Sequence, residues 1–478
     1  MVPMEPPGQR GFPNEGVRME SAVHALSLLS VDETKDAFSH GDTAWVLASA
    51  ALVLLMTPGL AFFYGGMVRV KSVLNMLMMS FIAIGIVSVL WVLYGFSIAF
   101  DQTGNGFMGG FGQLGLNNAV HTLASVNGAT YNIPVLAFSM FQLMFAIITP
   151  ALISGAIADR AKFVGWSVFV TLWTTIVYFP VAHWVFDFGN SSGHHAGWLA
   201  HWGVEDFAGG TAVHINAGAA GLALAIVLGK RNGWPRAQFK PHNLPLVMLG
   251  AGLLWFGWFG FNAGSALGAN GLAALAFTNT QVATASAMLG WLIVEKIRDG
   301  HPTSLGAASG AVAGLVAITP ACAFIVPWAA VVLGLLAGAI CALAVALKFR
   351  FGFDDSLDVV GVHLVGGIVG TLYLGFMSTD KVVGAGGAAA KGLFYGGGLT
   401  QLGKQAGGAG AVLVYSFTIA FILGWVIDKT IGFRLDEEDE VSGIDLFEHA
   451  ESGYDLAPSG GSGIFQPSTH TKTEEVPA

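Results

Sequence analysis

Charge is what this 478-residue chain has least of: Asp, Glu, Lys and Arg supply only 11% of it, against 54% apolar residues. Soluble domains carry about 25% charge, so a water-facing globular fold is excluded. Cysteine is nearly missing too. Cys322 and Cys341 are the only two, both in apolar surroundings, which excludes a disulfide framework. No basic cluster suited to nucleic acid is present. Neither a nucleophile nor a cofactor motif points to a membrane enzyme, and no cofactor is expected. His194, His195, His201 and Glu205 share a loop, but their spacing fits no familiar zinc pattern and reads as a solvated segment, so no metal is expected. The mildly apolar Ala22–Val31 is too short, and too far from Met1, for a signal peptide.

What is there is a series of apolar runs. Eleven candidate spans fall at 44–67, 73–100, 134–158, 163–186, 208–229, 244–265, 272–295, 304–320, 328–348, 359–378 and 407–428, each near the ~20 residues needed to cross a bilayer. The expected fold is an all-α polytopic membrane protein with its termini on opposite sides. Arg69, Lys71, Arg160, Lys162, Lys230, Arg231, Arg236, Lys240, Lys296, Arg298, Lys348 and Arg350 follow odd-numbered spans. The other loops hold only Lys381, Lys391 and Lys404, all in the Gly-rich loop 379–406. Positive charge marks the cytoplasmic side, so the expected topology is N-terminus out and C-terminus in. The chain divides into an extracytoplasmic leader (1–43), a membrane domain (44–430) and a cytoplasmic tail (431–478). That tail is acidic at 436–440 and then rich in Gly, Ser and Pro.

Two stretches inside the membrane domain are alike. One reads DFAGGTAVHINAGAAG from Asp206, the other DSLDVVGVHLVGGIVG from Asp355. In each, a histidine (His214, His363) follows the Asp by eight residues, with glycines four and seven residues later. Eight residues of helix advance roughly 12 Å. Two such helices entering a core of about 30 Å from opposite faces bring both imidazoles toward the midplane, the signature of an inverted repeat with its site at the repeat interface. ITPA at 148–151 and again at 318–321 is a second echo. Ionisable groups inside a bilayer generally line pathways, although an interhelical hydrogen bond between the two histidines would also account for them. Asp206 and Asp355 stand where helix N-caps would; Asp206 could add negative potential to a mouth that collects cations, while Asp354 and Asp358 compete with Asp355 for its cap.

A third group is aromatic. Phe141 and Phe145 share a helix face, and LLWFGWFGFNAGSALG at 253–268 places Trp258, Phe261 and Ser265 on successive turns. Periodicity alone leaves these as site residues, as lipid-facing filler or as close-packing positions.

Several blocks resemble the Amt/Mep/Rh ammonium transporter family, and its Amt branch: MTPGLAFFYGGMVR at 56–69, DFAGGTAVHINAG at 206–218, FKPHNLP at 239–245, WFGFNAGSA at 258–266 and GVHLVGGIVG at 361–370. The resemblance runs from about Trp45 to about Asp455. It implies eleven spans in two inverted halves of five plus a last helix, a homotrimer with one pore per subunit, and ammonium or ammonia as substrate. It also implies a PII-type regulatory partner at the cytoplasmic face, with the loop 230–243 and the tail 432–456 as candidate surfaces. By motif, Ser265, Phe145, Phe186, Phe261 and Asp206 correspond to ammonium-binding positions. Phe141, Gln142, Tyr178 and Trp258 correspond to the vestibule, and His214 and His363 to the twin pore histidines. Phe186, in AHWVF, stands where many members have Trp, a stronger cation–π partner.

Ammonium resembles a small metal ion in size and charge, so selectivity must use its N–H donors and its acidity. Stripping a bare ion into hydrocarbon costs on the order of tens of kcal/mol. Releasing a proton and passing neutral ammonia along the histidines avoids that cost, and a metal ion has no proton to release. The expected function is ammonium transport with net charge transfer; the alternative is an ammonium sensor that signals through the tail.

Overall fold

Hydrocarbon offers backbone N–H and C=O groups no partner but each other, and the apolar runs accordingly form helices. The computed structural model describes residues 38–119, 122–126, 129–189, 196–237, 239–382 and 389–454. In chain order the long helices are α1 (His40–Met67), α2 (Val70–Phe100), α3 (Val135–Ile157), α4 (Phe163–Phe186), α5 (Gly210–Leu228) and α6 (Leu244–Gly264). Then come α7 (Gly271–Asp299), α8 (Ser304–Ile318), α9 (Pro327–Phe351), α10 (Val360–Met377) and α11 (Thr400–Thr430). Nine of these described helices are long and apolar enough to cross a membrane by themselves. The other two, the more polar α7 and the 15-residue α8, occupy the seventh and eighth expected positions. The protein is a polytopic helical membrane protein.

Two departures from the expected spans have physical causes. Helix α11 begins seven residues early, at Thr400, because Gln401 and Gln405 use their side chains against a loop. Gln401 Nε2 donates to Gly203 O (3.1 Å) and Gln405 Nε2 to Glu205 O (2.7 Å), while Glu205 N donates to Gln405 Oε1 (2.8 Å). The first two turns of α11 therefore dock on protein rather than lying in lipid. The connection between α2 and α3 also holds a small antiparallel hairpin, β1 (Leu123–Val126) with β2 (Ala129–Pro134), which an all-helical expectation did not include.

The two look-alike helices run antiparallel. At one face of the bundle the residues leading into α5 meet the end of α10: Ser378 Oγ donates to Glu205 Oε2 (2.8 Å). At the opposite face the residues leading into α10 meet the end of α5, where Arg231 pairs with both oxygens of Asp354 (2.9 Å each). The repeated glycines let the two helices touch. A Cβ on Gly218 would lie 2.5 Å from Leu364 N, and one on Gly367 3.0 Å from Gly210 O. Each glycine stands four residues after a histidine, so the closest approach falls at the histidines.

The Asp354 face is closed by ions and by the tail. Arg160 is fully buried and donates to Ser356 Oγ and Asp354 O (2.6 Å each); burial pushes its guanidinium down to about 10. Burial alone would raise the Asp354 carboxyl, but Arg231 and Arg160 outweigh it and hold it below its usual range. Residues 434–454 pack on this face as two short helices, Glu437–Ser442 and Ile444–His449. Arg434 pairs with Glu440 (2.7 Å), and Asp445 accepts from Leu74 N (2.9 Å) and Asn75 N (2.8 Å) at the start of α2. The leader up to residue 37, His194, His195 and the tail beyond 454 lie outside the described residues.

Candidate functional site

The site begins with two capped helix starts. Asp206 Oδ1 accepts from Gly209 N and Gly210 N (2.7 Å each). Its Oδ2 accepts from Thr211 N (2.7 Å), Ala212 N (3.2 Å) and the Thr211 hydroxyl. One buried carboxylate thus satisfies the orphan donors of α5. Asp355 does the same for α10 with two donors, Val359 N (3.1 Å) and Val360 N (2.7 Å). The competing acids are occupied elsewhere, Asp354 with Arg231 and Asp358 with Lys348 (2.6 Å). Both histidines then sit on a π-helical first turn, Gly210–Ile215 and Val360–Leu364, a geometry that recurs at functional sites.

Those turns bring the imidazoles together. His214 Nδ1 and His363 Nδ1 are 3.4 Å apart, with ring centroids at 5.4 Å and planes inclined by 24°. When each Nδ1 faces the other, one must carry the hydrogen and the other accept it. Among the described residues, His214 Nε2 has no hydrogen-bond partner. Both histidines line a narrow apolar cavity with Met56, Leu60, Ile148, Leu152, Val213, Leu254, Trp258, Phe261 and Val312. Trp258 stacks on His214 (5.4 Å, 21°) and Phe261 lies beyond it (6.1 Å, 22°).

A second cavity, of about 50 Å³, opens toward the Asp206 face. Its walls are Tyr131, Phe138, Gln142, Phe145, Phe186, Phe188, Phe207, Ser265 and Leu267. Phe145 belongs to this mouth and Phe261 to the histidine chamber, and their rings touch (4.3 Å, 42°), so the pair is the partition between them. Ser265, at the end of α6, donates its hydroxyl hydrogen to Phe261 O (2.8 Å), which leaves its lone pairs free to accept. The arrangement offers an acceptor and aromatic faces at the mouth, then a two-ring barrier, then an apolar chamber with two imidazoles.

A family profile described as the Ammonium Transporter Family matches residues 44–454. The chain belongs to that family. It is 61% identical over 438 residues to a Mycobacterium tuberculosis protein named "Ammonium transporter", covering 88% of this chain and 92% of that one. Among solved structures, Mep2 of Saccharomyces cerevisiae superposes with a TM-score of 0.78 at 35% identity, covering 86% of this chain and 92% of that one. A structure titled "Sensor Amt Protein" gives 0.76 at 28% identity, covering 87% of this chain and all of that one.

Of the residues the sequence nominates, the transporter's mouth gathers Gln142, Phe145, Phe186 and Ser265. Four are placed differently from a simple vestibule. Trp258 lines the histidine chamber, because one helical turn separates it from Phe261 on the inward side. Phe141 is wholly buried and packs edge-on against Phe145 (4.9 Å, 72°). Tyr178 is buried on the last residue of a π-helical turn in α4, beside Trp173 and Phe179. Asp206 faces five donors of its own helix, so its carboxylate is not a ligand exposed to the mouth. Tyr131, Phe138, Phe188 and Phe207 were missed. Phe207 had a signal, since it directly follows Asp206 in the repeated stretch, and so had Phe138, which stands three and seven residues before Phe141 and Phe145 on α3; Tyr131 and Phe188 come from connections that carry no pattern. Among the described residues, no three His, Cys, Asp or Glu side chains gather closely enough to hold a metal ion.

Proposed function

We propose that the protein moves ammonium across the membrane from the Asp206 face to the Asp354 face, with the first outside the cell and the second, with the tail, in the cytoplasm. The positive residues on the odd-numbered span ends support this orientation. Ammonium loses water at the mouth, donates an N–H to Ser265 and lies against Phe145 and Phe186, whose ring faces attract a desolvated cation by about 2 kcal/mol. That is too little to carry an ion through an apolar chamber. At the Phe145–Phe261 partition the cation therefore gives up a proton, which the accepting nitrogen of the imidazole pair takes, and ammonia continues past His214 and His363. The proton passes through the imidazole pair, so each turnover moves one charge.

The observation that carries this reading is the 3.4 Å contact between the two Nδ1 atoms inside an apolar chamber. A relay through it requires that the pair exchange which nitrogen holds the hydrogen, after which His214 Nε2 changes between acceptor and donor. Further parts of the proposal are a homotrimer with one pore per subunit, contact with membrane lipids, and a PII-type protein that docks on the cytoplasmic loops and tail. Residues 1–43 form the leader, 44–430 the transport domain and 431–478 the tail. The test is charge movement in proteoliposomes after an ammonium pulse, with potassium as control. An ammonium-specific current is expected, and His214→Ala should lower it or admit potassium. If that variant keeps both its current and its ion rejection, the relay is wrong.

The ordered packing of residues 434–454 on the inner face favours a second reading, a sensor whose occupancy is reported through the tail. Folded protein that binds ammonium without moving charge would support it.

A further inference from the structure

The second ITPA stretch does something that the repeat alone does not explain. Thr319 follows the last residue of α8 and is completely buried. Its hydroxyl donates to Leu315 O (2.7 Å) and accepts from Trp258 Nε1 (2.9 Å). Because the hydrogen is committed to the carbonyl, the oxygen's lone pair is fixed toward the indole. Trp258 in turn stacks on His214. The neighbouring residue, Pro320, packs against the start of the helix that carries His214: its O accepts from Phe207 N (3.1 Å), and its ring would meet a Cβ on Gly210 at 2.5 Å. One turn of chain therefore holds both the π-helical turn beneath His214 and the ring that lies over it.

We propose that Thr319 is a positioning residue for His214: by holding the Trp258 indole through one hydrogen bond, it sets the plane of the imidazole against His363. The inference rests on the transport reading above. Without an acceptor at Thr319, the buried indole N–H is stranded in an apolar chamber. Among the described residues, the ring that Trp258 stacks on carries a nitrogen without a partner, His214 Nε2, so in the tautomer in which that nitrogen accepts, the indole is drawn to turn toward the atom it should leave open. Thr319 does not line the mouth, and the change should therefore fall on the rate of passage and spare ammonium capture.

The test compares Thr319→Val, which keeps the shape and removes the acceptor, with Thr319→Ser, which keeps the acceptor. Both are assayed in proteoliposomes for ammonium-driven current, with the ring-nitrogen NMR signals of His214 recorded on the same ¹⁵N-histidine-labelled samples. Thr319→Val is expected to lower the maximal rate at least fivefold, leave half-saturation within twofold, and shift the His214 signals. Thr319→Ser is expected to restore both. Trp258→Phe removes the same hydrogen bond from the other side; its loss and that of Thr319→Val should not add in the double variant, and it serves if Thr319→Val does not fold. A wild-type rate and spectrum in folded Thr319→Val, or a Thr319→Ser as slow as Thr319→Val, overturns the proposal. If the wild type itself carries no ammonium current, the transport reading fails, and the His214 signals still decide whether Thr319 positions the ring.

Discussion

Replacing Asp206 by Asn should disable transport by unmaking the turn beneath His214. The carboxylate serves five donors, two on one oxygen and three on the other. An amide keeps one acceptor oxygen and turns an NH₂ toward the remaining set. If the oxygen stays with Gly209 and Gly210, the N–H groups of Thr211 and Ala212 are stranded; if it turns over, those of Gly209 and Gly210 are. Either way two buried backbone donors lose their partner, at about 1–3 kcal/mol each. The lost negative charge at a helix N-terminus adds roughly 0.3–1 kcal/mol more. The sum, about 2–7 kcal/mol, acts on a single π-helical turn whose own bonds include His214 N to Gly209 O (3.0 Å). Asp355 is the internal control, because it serves two donors, and Asp355→Asn strands at most one.

The assay is ammonium uptake by purified variants in proteoliposomes, alongside thermal melting in detergent. Asp206→Asn is expected to lose at least tenfold in maximal rate, the equivalent of about 1.4 kcal/mol, and to melt at lower temperature. Asp355→Asn should lose less on both counts. Wild-type rate and melting in Asp206→Asn, or a greater loss in Asp355→Asn, would refute the donor count as the basis of the turn.

Two more outcomes follow from the mouth and from the loop beside it. Phe186→Trp should lower half-saturation by about two- to fivefold, the equivalent of roughly 0.5–1 kcal/mol of added cation–π attraction, with maximal rate unchanged; an unaltered half-saturation would take residue 186 out of the cation site. Glu205 is buried, and burial pushes its carboxyl from 4.5 up to about 7, against the bonds from Ala390 N and Ser378 and the nearby Lys404. The folded protein therefore holds a proton that the unfolded chain releases above about 4.5. Its contribution is complete at lower pH and is lost as pH rises through 7, by on the order of 3 kcal/mol at most. Wild type should melt lower at pH 8 than at pH 5.5, and Glu205→Gln should narrow that difference; an equal difference in both proteins would show that Glu205 is not the titrating group.

Much of this architecture was legible because hydrocarbon is an unforgiving solvent. Eleven apolar runs became eleven helices, and the matched spacing from Asp to His to Gly became two capped turns meeting at paired glycines. The caps were readable because Asp before a helix has one job that geometry rewards. Trp258, Phe141 and Tyr178 were harder. Their motif gave membership in the site but not depth, and only two turns of α6 separate a mouth residue such as Ser265 from a chamber residue such as Trp258. The early start of α11 was hidden by its composition, since TQLGKQAG looks like loop until Glu205 and Gly203 are seen to receive its glutamines. The docking of residues 434–454 had no periodicity to reveal it; it depends on single pairs such as Arg434–Glu440 and Asp445 with the start of α2.

The repeat is symmetric where the histidines meet and unequal where the helices begin, and the inequality has a functional sense. Each half supplies an Asp cap, a π-helical turn, a histidine and a glycine, so the midpoint is shared equally. At the Asp206 start the carboxylate takes five donors from the chain itself, next to a mouth built mainly of aromatic rings with the uncharged polar groups of Tyr131, Gln142 and Ser265. At the Asp355 start the cap takes two donors, and the surrounding charge belongs instead to Arg160, Arg231, Asp354 and the tail. A device that must strip water from a cation needs an uncharged, rigid mouth, because an exposed carboxylate there would bind metal ions as readily as ammonium. In the proposed direction the Asp354 face is the exit, which needs no such selectivity, and charge and a folded tail accumulate there. The proposed direction of transport would place selectivity before the histidines and control after them, and it predicts that a substitution at Ser265 alters which ions are admitted while one at Arg434 leaves that choice untouched.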